Sequence, residues 1–261
     1  MRSRGFMFCG NWKMNNLLTE SLNLVRGVML EIDPSVFDFC EVVFAPSFPY
    51  LLAVKEIIEG TPFKLSAQNC YWEEKGAFTG EVSPLMLRDV GCSYCIVGHS
   101  ERRNIFGEID RWINKKVKAL LSVGITPILC VGEKLEERRE GKLFDVIYRQ
   151  VTMGLDGVDL GSYRVVIAYE PVWAIGTGIN AAPEDAEEVH SYIRGIVAEK
   201  YGMDVAGGMT ILYGGSVNPF NIGDLMKMEN IDGTLIGGSS LKVRDFVDII
   251  YGGLEGKGVW R

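Results

Sequence analysis

Eight short apolar runs recur along the chain, with helical stretches between them. They are Phe6–Gly10, Glu41–Ala45, Phe63–Ala67, Tyr94–Val97, Thr126–Val131, Val165–Tyr169, Thr210–Tyr213 and Thr234–Ile236. Val165–Tyr169 is apolar throughout and rich in β-branched residues, the pattern of a strand buried on both faces. The intervening stretches keep helical spacing. In Asp110–Leu121 the stripe is Ile113, Val117, Leu120 and Leu121, with Asp110 as a plausible N-cap. In Pro183–Lys200 it is Ala186, Val189, Ile193, Ile196 and Val197, with Pro183 near the first turn and acids just after it. A last helix is expected from about Val243 to Tyr251. Strand then helix, eight times, without a Gly/Ser/Pro linker, predicts an α/β fold with a parallel sheet. In 261 residues this fits one closed (β/α)8 barrel domain spanning 1–261. An open doubly wound sheet is the rival, because it differs in strand order, which sequence does not reveal.

In a barrel, chemistry gathers at the carboxyl ends of the strands, so the residues just past each strand are the candidates. Asn11-Trp12-Lys13 comes after the first strand and Gly98-His99-Ser100-Glu101-Arg102-Arg103 after the fourth. Gly132-Glu133 comes after the fifth, and Glu170-Pro171 after the sixth. Gly214-Gly215-Ser216 and Gly237-Gly238-Ser239 come after the last two. Polar groups from distant parts of the chain therefore converge on one rim.

Each group has a chemical reading and a plainer one. Glu170 ends a buried strand, and Val172-Trp173-Ala174-Ile175 before Gly176-Thr177-Gly178 is an apolar loop that needs something to cover. A lid that expels water over a carboxylate base explains both; a solvated Glu beside a greasy turn is the plainer reading. The two glycine pairs let backbone amides approach an anion at a helix start, and Gly176 offers another amide. Otherwise they are tight turns. Neither pair matches a P-loop or a dinucleotide fingerprint. His99 sits where a helix start favours the neutral ring, able to exchange a proton with a substrate oxygen. Its plainer role is a locally satisfied His. Lys13 suits a phosphate or an oxyanion, or else a rim salt bridge with Glu101, whose other candidate partners are Arg102 and Arg103. His190, inside a helix, reads as structural or surface. The run from Glu133 to Glu140 reads as a solvated helix start, with Glu133 placed to buttress the rim.

The net charge of −7, with both signs interspersed, argues against nucleic acid as the main partner. No apolar run is long enough to span a bilayer, and Met1–Gly5 is not expected to begin a signal peptide. Of six cysteines, only Cys92 and Cys95 form a C-x-x-C. With no second pair and no His cluster, a zinc site is not expected, and a reduced cytoplasmic enzyme is. A carboxylate base, a neutral His, a Lys and a phosphate cradle suit proton abstraction beside a carbonyl in a small phosphorylated substrate. The enediolate so formed would lose phosphate to water, which gives a lid its purpose.

These residues resemble the triosephosphate isomerase family. The resemblance rests on Gly10–Asn15, Ala67–Asn69 with Gly76–Glu81, Val97–Arg103, Cys130–Glu133, the Glu170 stretch, Tyr213–Val217 and Ile236–Gly238. It implies interconversion of dihydroxyacetone phosphate and glyceraldehyde 3-phosphate without cofactor or metal, in glycolysis and gluconeogenesis. It implies Glu170 as base, His99 as electrophile, and Lys13 and Asn11 as substrate and charge ligands, with Glu101 supporting Lys13. The backbone of Gly176, Ser216, Gly237 and Gly238 would hold the phosphate. It further implies a homodimer, in which the loop Asn69–Glu81 carries Thr79 to the neighbour's site. Ser239, Cys70-Tyr71-Trp72 and the tail Gly253–Arg261 depart from the family pattern. An isomerase of a longer phosphorylated ketose, and a non-catalytic sugar-phosphate binding protein, are the alternative readings.

Overall fold

A computed structural model describes residues 4–174 and 181–260. The eight strands are β1 (Phe6–Asn11), β2 (Cys40–Ala45), β3 (Lys64–Ala67), β4 (Tyr94–Val97), β5 (Thr126–Val131), β6 (Val166–Tyr169), β7 (Ile211–Tyr213) and β8 (Gly233–Ile236). All pair in parallel and in chain order, and β8 returns to β1, with Met7 opposite Gly233 and Gly10 opposite Ile236. That last pairing decides between the two architectures: the sheet is a closed barrel, not an open doubly wound sheet.

Closure explains why the strands are apolar on both faces. Met7, Cys9, Val43, Ile96, Ile128, Cys130, Val166, Ala168, Leu212 and Leu235 point inward and fill the barrel. Their neighbours Phe8, Val42, Leu129, Ile167 and Ile211 point outward under the helices. The period of two puts one set in each layer. The expected helical stripes are the buried ones. In Asp110–Ser122, Ile113, Val117, Leu120 and Leu121 face the barrel. In Pro183–Tyr201, Ala186, Val189, Ile193, Ile196 and Val197 do so. His190 is fully buried beside them, its Nδ1 3.2 Å from the Asn230 carbonyl oxygen, and burial lowers its pKa to about 3. It is a neutral structural residue.

Several boundaries move by a residue or more from expectation, two of them for identifiable reasons. β8 begins one residue early, at Gly233, with φ +144°. A Cβ there would lie 1.9 Å from the Met7 carbonyl oxygen, so the seam between last and first strands admits only glycine. The last helix runs Val243–Gly256, beyond Tyr251. Its glycines are poor helix formers, but packing requires them. A Cβ at Gly253 would lie 2.6 Å from the Phe8 ring, and one at Gly256 2.5 Å from the Gly223 carbonyl oxygen.

The amino ends of the strands are closed by side chains. The Arg164 guanidinium donates to Glu41 Oε1 at 2.6 Å and to the Tyr94 hydroxyl at 2.9 Å. Tyr94 in turn donates to Glu41. The six cysteines are buried free thiols, and burial pushes Cys40 and Cys92 up to about 12. Neither is a thiolate near neutral pH.

Candidate active site

The carboxyl ends of the strands carry the groups that the sequence singled out. β1 ends in Asn11, 4% exposed. Its Oδ1 accepts the Lys13 amide at 3.0 Å. Lys13 has φ +53°, a left-handed conformation uncommon for a residue with a Cβ. Two distant side chains clamp it there: Gln68 Nε2 and Ser47 Oγ donate to its carbonyl at 2.8 and 2.9 Å. The turn aims the Lys13 ammonium across the mouth of the barrel, where it meets Glu101 Oε1 at 2.8 Å.

β4 leads into the short helix Ser100–Asn104, with His99 as N-cap. His99 Nδ1 accepts the Glu101 amide at 3.2 Å. A nitrogen that accepts carries no proton, so in the neutral ring the proton is on Nε2. Nε2 lies 2.9 Å from Glu170 Oε1.

β6 delivers Glu170, 2% exposed. The Glu170 amide donates to the Val131 carbonyl at 2.7 Å, which fixes its backbone against β5. The carboxylate accepts the Ser100 amide at 2.9 Å on Oε2 and the Ser100 hydroxyl at 3.3 Å on Oε1. Two glycines make room for it. A Cβ at Gly132 would overlap the Glu170 carbonyl oxygen at 1.8 Å, and one at Gly214 would sit 2.9 Å from Glu170 Cγ.

The electrostatics are those of a buried pair. Burial by itself would raise the Glu170 pKa. The charge and hydrogen bond of His99, the Ser100 amide and Lys13 outweigh it, and the net direction is down. At His99, burial lowers the pKa, while ionised Glu170 and Glu101 raise it, and the balance is upward with Glu170 against the ring. If Glu170 turns toward a ligand, the larger part of that upward influence goes, and only that of Glu101 stays. Burial, Lys13 and the amide on Nδ1 then all favour a neutral ring that donates from Nε2.

Asn11, Lys13, His99, Glu170, Ser216, Gly237 and Gly238 line one cavity of about 220 Å³, with Gly214, Gly215 and Ser239 completing its wall. A larger cavity, about 460 Å³, opens at the other end of the barrel beside Gly5, Glu41 and Arg164. Its Glu41 and Arg164 neutralise each other, and among the described residues no base, electrophile and glycine cradle converge there, so the smaller cavity is the candidate site. It combines a desolvated carboxylate, an imidazole N–H, an ammonium and two glycine turns, which equips it to move a proton beside a carbonyl while holding an anion.

Other expectations fall around it. Glu133 is fully buried and accepts from Trp173 Nε1 at 2.7 Å and from the Tyr169 hydroxyl at 3.2 Å. It therefore buttresses the rim, while the helix that follows, Leu135–Arg139, has no buried residue. Burial raises its pKa, against the Trp173 hydrogen bond and Arg138. Thr79 is exposed on the loop 69–81 and does not line the cavity of its own chain. Gly176 lies outside the described residues. The reading of individual residues passed over Ser100, Gln68 and Ser47. Ser100 had one usable signal, an amide at a helix start next to the proposed electrophile. Gln68 and Ser47 had none, because they act on a residue far away in sequence.

A family model described as triosephosphate isomerase matches residues 6–252. Curated proteins named triosephosphate isomerase are similar over nearly the whole chain. That of Prosthecochloris aestuarii is 52% identical, over 92% of this chain and 95% of its own length. That of Caldanaerobacter subterraneus subsp. tengcongensis is 50% identical, over 94% and 98%. That of Pelobacter propionicus is 49% identical, over 94% and 97%.

Proposed function

The chain belongs to the triosephosphate isomerase family and interconverts dihydroxyacetone phosphate and glyceraldehyde 3-phosphate, and from that premise we propose how its residues divide the work. Glu170 takes the proton from the carbon beside the carbonyl. His99 donates from Nε2 to the carbonyl oxygen and shuttles a proton between the two oxygens of the enediolate. Lys13 offsets the negative charge that develops there, with Glu101 fixing its side chain, and Asn11 orients the substrate. The backbone of Ser216, Gly237 and Gly238, with Gly176, receives the phosphate. The observation that carries this reading is the placement of Glu170 and His99, 2.9 Å apart, in the cavity that the glycine turns also line. Neither step calls for a metal or an organic cofactor.

The cavity of about 220 Å³ favours a triose over a longer ketose. The whole chain, 1–261, acts as one barrel domain. We further infer a homodimer, because exposed Met14, Phe78 and Met86 give the face around the loop 69–81 apolar area for a partner to cover. Thr79 would then reach the neighbouring site. Free, buried cysteines suit the reducing cytoplasm, where the reaction serves glycolysis and gluconeogenesis. No described helix is long and apolar enough to cross a membrane, and the acidic net charge offers no footprint for nucleic acid.

The test is turnover of glyceraldehyde 3-phosphate in EDTA and D2O with no added cofactor. A carboxylate base exchanges its proton with solvent, so deuterium should enter the carbon beside the carbonyl. Isomerisation with no solvent label at any pH would replace proton transfer with a hydride shift and remove Glu170 from its role.

The pH dependence has a definite sign. Because the Glu170 pKa is lowered, the carboxylate persists as pH falls through 4.5, its ordinary value, and is lost only below it. With the substrate phosphate's ionisation near pH ~6 divided out, the acid limb of kcat/KM should lie below 4.5. In His99→Asn the largest of the influences that hold the Glu170 pKa down is gone, and the limb of the residual activity should move upward. An unmoved limb would mean that His99 does not hold the Glu170 charge.

A further inference from the structure

β7 and β8 share a short ladder, with one registered pair, Tyr213 opposite Thr234. β4 and β5, by comparison, share four, from Tyr94–Thr126 to Val97–Leu129. Beyond their ends the two strands lead into Gly214–Val217 and Gly237–Ser239, two turns that both line the site cavity. Among the described residues one hydrogen bond joins these turns: Ser239 Oγ donates to the Val217 carbonyl at 2.8 Å. Each turn is also held within its own unit. Asn221 Nδ2 donates to the Ser216 carbonyl at 3.0 Å, and Ser240 Oγ to the Gly237 carbonyl at 2.7 Å. Those contacts shape each turn but leave the distance between them to Ser239.

We propose that Ser239 is a positioning residue, whose hydroxyl sets the spacing between the two backbone turns that receive the substrate phosphate. The proposal rests on the reading of those turns as the phosphate cradle. A hydroxyl has one proton. Given to Val217, it leaves none for an anion, so Ser239 acts on the phosphate through the two turns and not as a ligand. Amide donors preorganised around an anion lose affinity when their spacing is free to drift. Glu170 and His99 are placed by the ends of β6 and β4 and by the Ser100 amide, not by the Ser239 hydrogen bond, so proton transfer does not depend on that spacing once the substrate is seated. The signature is therefore a change in KM without a matching change in kcat.

Steady-state kinetics of Ser239→Ala, with competitive inhibition by inorganic phosphate, test this. KM and the phosphate inhibition constant should both rise about fivefold, the equivalent of one ordinary hydrogen bond, with kcat within about twofold. Gly237→Asp serves as the control, because it sets a carboxylate on the cradle and should abolish phosphate inhibition. Loss of inhibition in Gly237→Asp with an unchanged constant in Ser239→Ala would leave the cradle standing and overturn the latch. Unchanged inhibition in both would overturn the cradle, and the latch with it. A fall of kcat in step with the melting temperature would make Ser239 a general stability residue and also end the proposal.

Discussion

Glu170→Gln should turn over triose phosphate more slowly than the parent by a factor at the upper end of the about 10²–10⁴-fold that a positioned general base contributes. Glutamine keeps the shape of the side chain, and its carbonyl oxygen still accepts the Ser100 amide now 2.9 Å from Oε2. What it loses is the ability to take a proton. Glu170→Asp keeps the acid but withdraws it by one methylene. A misplacement of that size costs about 10²-fold, so aspartate should fall between parent and glutamine. Neither change touches the glycine turns, so a phosphate-bearing substrate analogue should bind both variants within a few-fold of the parent. Turnover and analogue affinity, measured side by side, decide the matter. If the two fall together, Glu170 is a binding or structural residue and the base must be sought elsewhere.

Lys13→Gly should cost about 10²–10³-fold in kcat/KM, the scale of losing one preorganised donor to a developing oxyanion, and yet leave the fold at least as stable. The reason lies in the backbone. At φ +53° the Lys13 Cβ crowds its neighbours, at about 1–2 kcal/mol for a residue held in this region. The three hydrogen bonds that keep it there, from Lys13 to Asn11 and from Gln68 and Ser47 to Lys13, use only its main chain. Glycine retains all three and relieves the crowding. Its greater freedom in the unfolded chain takes back about 0.5–1 kcal/mol, and the half-exposed Lys13–Glu101 pair contributes little. Lys13→Ala separates the two effects, because alanine loses the charge but keeps the Cβ. Both variants should be equally inactive, with alanine melting lower than glycine. Equal melting temperatures would show that no strain is stored at this position. A glycine variant within tenfold of parental activity would show that the ammonium is not needed.

The barrel was legible because each strand had to be apolar on two faces, and that leaves a run too regular to miss. Strand ends shifted by about one residue, since an end depends on the neighbouring strand, as Gly233 depends on Met7. The tail helix was read too short because Gly252, Gly253 and Gly256 look like terminators in one dimension. In three they are the residues that fit against Ile222, Phe8 and Gly223, respectively. Glu170, His99 and Lys13 could be picked out because each lies just past the end of a buried apolar strand. Ser100 was harder, since its contribution to Glu170 includes a main-chain amide, a group nearly every residue has. Gln68 and Ser47 act on one carbonyl across 55 and 34 positions of sequence, and no local pattern encodes that. The assignment of Glu101 to Lys13 was open among three arginine and lysine partners, and only the folded chain closed it.

The seam between β1 and β8 has a consequence during synthesis. Met7 pairs with Gly233, so the first strand to leave the ribosome waits for the last. Until then Phe6–Asn11 has a partner on its β2 side and an open row of amides and carbonyls on the other. An unpaired, apolar edge is the surface on which nascent chains join one another. The stretch that completes the catalytic rim is thus also the one most in need of shielding while translation runs, and slower elongation between β2 and β8 would be paid for in aggregated chains.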